Sequence, residues 1–93
     1  MNLKQKQQIL NLSSDLRRIA WWAADKENDR SHLIKKFLGL VKVGEIKNRE
    51  VEKILNDINL DNWKKARENL KNKMVWAEEV LTTSLRLKHL ALP

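Results

Sequence analysis

Ile9, Leu12, Leu16, Ile19 and Ala23 recur at spacings of three and four, which places them on one face of a helix. The pattern predicts a first helix from about Leu3 to about Asn28. The polar stretch DKENDRS then breaks the periodicity, and Asp29 or Ser31 is suited to cap the next helix. Ile34, Phe37, Leu38 and Val41 predict a short second helix, Ser31 to Val43, with Gly44 as the residue that ends it. Val51, Ile54, Leu55 and Ile58 predict a third, from Ile46 to Ile58. Asn59-Leu60-Asp61 reads as a tight connection with Asp61 as the next N-cap. The fourth helix is expected from Asn62 to Leu90, with Trp63, Ala66, Leu70, Met74, Ala77, Leu81 and Ser84 as its core stripe.

Short connections favour antiparallel neighbours. The expected fold is therefore all-α: one domain over residues 1–93, an up-down four-helix bundle with two long outer helices (first and fourth) and two short middle helices. At 1.5 Å per residue the long helices span roughly 40 Å and the short ones roughly 20 Å. The short pair then covers half of the long pair. The start of the first helix and the end of the fourth need further cover, because a bare helix pair is marginal in water.

A second apolar row marks that need. Trp76, Val80, Thr83, Leu87 and Leu90 succeed one another at spacings of four, three, four and three, a heptad seam. The first helix has a weaker counterpart in Leu3, Leu10 and Trp21. The expected partner interface is Trp21, Trp76, Val80, Leu87, Leu90, Leu3 and Leu10, closed by a second copy in a homodimer or by a partner helix. The competing reading is that the protomer covers these residues itself through tilt or bend. Adjacent Trp21 and Trp22 point about 100° apart on a helix. Trp22 is expected at the flank of the core near Trp63, and Trp21 on the outside with Leu3 and Leu10.

Composition narrows the picture. Of 93 residues, 42% are apolar and 33% charged, a globular rather than a disordered balance. Only two Gly and one Pro are present, which favours helices. The absence of cysteine excludes disulfides and thiolate metal sites. The N-terminus has no apolar signal core, and the longest apolar run, Ile19–Ala24, is too short for a membrane span. A soluble, cytoplasmic chain is expected. The segment LTTSLRLKHLALP is apolar and basic enough for a membrane interface, but its heptad spacing fits a helix partner equally, and no membrane partner is expected.

The net charge of +7 permits an anionic partner without requiring one. Lys64, Arg67 and Lys71 share a face of the fourth helix with Lys65 beside them, a candidate anion or nucleic-acid surface. Asp61 and Glu68 interrupt it. Residues 50–69 can be read as helix-turn-helix, with Lys64, Lys65 and Arg67 early on the second helix, but the signal is weak because the usual turn glycine is missing and the second helix is expected to be long.

Catalytic chemistry is thin. His32 and His89 stand alone, and neither His-Glu-x-x-His nor the Glu-x-x-His of di-iron bundles occurs. Adjacent Glu78 and Glu79 point apart on a helix. Ser13-Ser14 lacks a nucleophile-elbow context, and no Gly-rich phosphate loop exists. No enzyme activity, cofactor or metal is expected. The expected role is a non-catalytic interaction or regulatory module, the alternative a small basic nucleic-acid-binding protein.

Overall fold

In the computed structural model, which describes residues 2–43 and 48–92, the chain is all-α. Helix α1 spans Leu3–Ala23, α2 Ser31–Val43 and α3 Arg49–Asn56. A 3-10 turn at Leu60–Asn62 leads into the single turn α4, Trp63–Ala66, and then α5, Leu70–Ala91. The two long helices α1 and α5 pack along each other, α2 lies against α1, and α3 lies against α5. This is the expected four-helix bundle.

Two contacts establish that α1 and α5 run antiparallel. Ser13 meets Ser84, and Lys73 Nζ donates to the Asp25 carbonyl just past α1 at 2.9 Å. The higher number on one element thus meets the lower on the other. Ile9, Leu16, Ile19, Ile34, Val51, Val80 and Leu87 form the fully buried centre.

The helix ends are set by short polar side chains. Asn2 accepts from the Gln5 N–H at 2.8 Å and starts α1. The first helix stops at Ala23, not Asn28. The reason is Asp25, whose Oδ1 accepts from the backbone N–H groups of Glu27 (3.0 Å) and Asn28 (3.1 Å). That local turn competes with helical hydrogen bonding. Asp29 accepts from the Ser31 N–H at 2.9 Å and from its hydroxyl, holding the entry to α2. Asn48 caps α3 by accepting from Glu50 and Val51 N–H at 2.9 and 3.3 Å, so α3 begins at Arg49, later than expected. Gly44, expected to end α2, and Ile46, expected to begin α3, lie outside the described residues.

The expected fourth helix is not continuous. Asn59, not Asp61, caps the 3-10 turn, accepting from the Asp61 N–H at 3.1 Å. Asn69 caps α5, accepting from the Asn72 N–H at 2.8 Å. The break between Ala66 and Leu70 turns Trp63 back onto Trp76, with ring centroids 4.9 Å apart. In one straight helix those residues would lie about 20 Å apart along the axis.

This break decides which face of α5 is core. Projected through a continuous helix, Trp63 sets the phase, and Leu70, Met74 and Leu81 fall on the buried side. In the structure Leu70 is exposed and Met74 and Leu81 are half-buried, whereas Trp76, Ala77, Val80, Thr83, Ser84, Leu87 and Ala91 are buried.

The lower half of the long pair is not bare either. Asp57, just past α3, pairs with Arg86 at 2.9 Å, and Trp76 Nε1 donates to the Asn59 carbonyl at 3.2 Å. The chain therefore climbs α5 from Arg86 to Trp76 over residues 57–59. α3 runs beside the C-terminal half of α5, while the 3-10 turn and α4 cover its N-terminal half.

Candidate interaction surfaces

The expected partner seam is mostly internal. Trp76, Val80 and Leu87 are buried, at 2%, 0% and 0% exposure, so the protomer covers them itself and they offer no surface to a partner. The cause is the α3 position and the folded-back α4. Leu90 and Leu10 are partly buried and pack against the core. Leu3 and Trp21 are open to solvent, at 83% and 62%. Trp22 turns inward at the flank and meets Phe37 edge-to-face, centroids 4.9 Å apart. The tryptophan doublet therefore splits as its spacing implies. Trp21 carries the Arg17 guanidinium over its ring at 5.3 Å.

The open apolar surface lies on the other flank of α5. Met74, Leu81, Leu85 and Leu92 recur at spacings of seven, four and seven. Leu85 and Leu92 are nearly half exposed, and Met74 and Leu81 are half-buried. These residues sit one step around α5 from Ser84 and Ala77, on the side turned away from Trp76 and Thr83, which face α3 and the 57–59 segment. On α1, Leu3, Leu10 and Trp21 sit one step beyond Ser13 and Ala20, on the side turned away from Trp22 and α2. The two rows thus share one outer face of the α1–α5 layer, opposite the face that α2 and α3 cover. The sequence pattern carries this signal, but a continuous fourth helix places Met74 and Leu81 in the core and so conceals it.

The basic residues, expected together on one helix, are divided by the break between Ala66 and Leu70. Lys64 and Lys65 lie on α4, Arg67 comes just after it, and Lys71 is in the first turn of α5; all four are exposed. Arg67 also borders a cleft of about 280 Å³ with Lys26, Asp29, Trp63 and Lys73. There the Asp29 carboxyl is held below its ordinary value, chiefly by the Ser31 hydroxyl and N–H, and further by Arg67 and Lys73. Asp29 therefore offsets part of the positive field at this end of the bundle. Trp63 Nε1 is buried beside the cleft with no hydrogen-bond partner among the described residues.

Among the described residues no group of His, Asp and Glu is arranged to hold a metal ion. His32 and His89 are both exposed, one at the start of α2 and the other near the end of α5. Glu78 and Glu79 are exposed on diverging sides of α5. Among the described residues no helix is long and apolar enough to cross a membrane. Compared with known proteins, the chain matches no family model, and no curated protein and no solved structure is significantly similar to it.

Proposed function

We propose that this chain is a non-catalytic protein–protein interaction module that works through the outer face of the α1–α5 layer. The observation that carries this reading is the solvent-open apolar row on both long helices, with Trp21 and Leu85 at 62% and 46% exposure. Scattered surface leucines need no explanation, but exposed apolar residues gathered on one face of a small domain, Leu3, Trp21, Leu85 and Leu92 here, support an interaction site. Trp is also among the residue types most concentrated in binding hot spots.

A photo-crosslinking amino acid placed at Leu85 or Trp21, and at the exposed Glu52 of α3 as a control, tests the reading in native cells. Adducts at the first two positions and none at the third support it. Equal labelling at all three, or none at Leu85 and Trp21, overturns it.

A second reading, binding of nucleic acid, is supported by the shared exposure of Lys64, Lys65, Arg67 and Lys71. Salt-dependent retention on duplex DNA, lost on Lys64→Glu/Arg67→Glu, would establish it. The carboxylate of Asp29 beside Arg67 and the acidic Glu68 make this the weaker of the two.

A further inference from the structure

We draw no further inference here: the strongest candidate, the apolar outer face of α1 and α5 that carries Leu3, Trp21, Leu85 and Leu92, belongs to the interaction surface already described, and nothing in the structure shows what covers it.

Discussion

Ser13 and Ser84 exchange hydrogen bonds across the α1–α5 contact, each hydroxyl donating to the other residue's backbone carbonyl, at 2.7 and 2.9 Å. Both are buried, at 5% and 2% exposure. Their small side chains let the helices approach closely, and their reciprocal bonds leave no hydroxyl unpaired. The pair therefore sets helix register as well as contributing stability. Ser13→Val and Ser84→Val are each expected to cost about 1–3 kcal/mol, because each leaves the remaining hydroxyl crowded by a branched side chain at a close helix contact. A double-mutant cycle by urea unfolding should show coupling of about 0.5 kcal/mol or more. Strict additivity would mean that the bonds do not act as a unit.

The tryptophans separate core from surface. Trp76→Ala should cost about 3–5 kcal/mol, as large core truncations do, and Trp21→Ala should stay within about 0.5 kcal/mol of the wild-type unfolding stability for the isolated protomer. Trp76→Phe should cost about 1 kcal/mol more than Trp63→Phe. The first loses the bond to the Asn59 carbonyl; the second removes an N–H that has no hydrogen-bond partner among the described residues. Chemical denaturation of the four variants, each below the concentration at which it associates, provides the comparison.

The break before α5 rests on one side chain. Asn69→Ala removes the cap of the Asn72 N–H and should cost about 1 kcal/mol, with Asn69→Asp nearly neutral. If the chain instead formed one unbroken helix through this point, alanine would stabilise it. Thermal unfolding monitored by circular dichroism distinguishes the two signs.

Acid should weaken the α1–α2 connection. The Asp25 carboxyl lies below its ordinary value of 3.8, held there mainly by the Glu27 and Asn28 N–H groups with help from Arg30. Asp29 is lowered likewise by Ser31. With folded-state values depressed, the unfolded chain binds protons first as pH falls. The stabilising contribution is complete above the ordinary carboxylate range and is lost as pH drops from about 4 downward, through the folded-state values. The melting temperature of the wild type should therefore fall below about pH 4, and that of Asp25→Ala should start lower and fall less steeply. Melting curves between about pH 7 and pH 2.5 check the slope.

The fold is legible in the sequence wherever a periodic run is uninterrupted. On α1 the stripe from Ile9 to Ala23 is buried as its spacing implies, and Trp21 points outward beside inward Trp22. The mismatch on α5 has a physical origin. Trp63 and Ala66 are apolar, buried and at helical spacing from Leu70, so one wheel drawn through all of them looks sound. Asn69 breaks that wheel, and the residues beyond it turn to a different phase. An Asn immediately before an apolar run is a capping signal, and Asn48, Asn59 and Asn69 all act as caps here. The same break governs the outer surface. With the phase set by Trp63, Met74 and Leu81 read as core, and Leu85 and Leu92, which complete their row, have no evident role.

Leu85 is the residue on which the two faces of α5 are most cleanly told apart. It lies two positions before buried Leu87 and is itself 46% exposed. Photo-crosslinking from position 21 in native cells, compared between the wild type and Leu85→Lys, with unfolding measured on both purified proteins, tests the outer face directly. The expected result is adducts in the wild type that are lost in Leu85→Lys, with unfolding unchanged within about 0.5 kcal/mol. Equal adducts from both proteins, or a variant that unfolds, would contradict it.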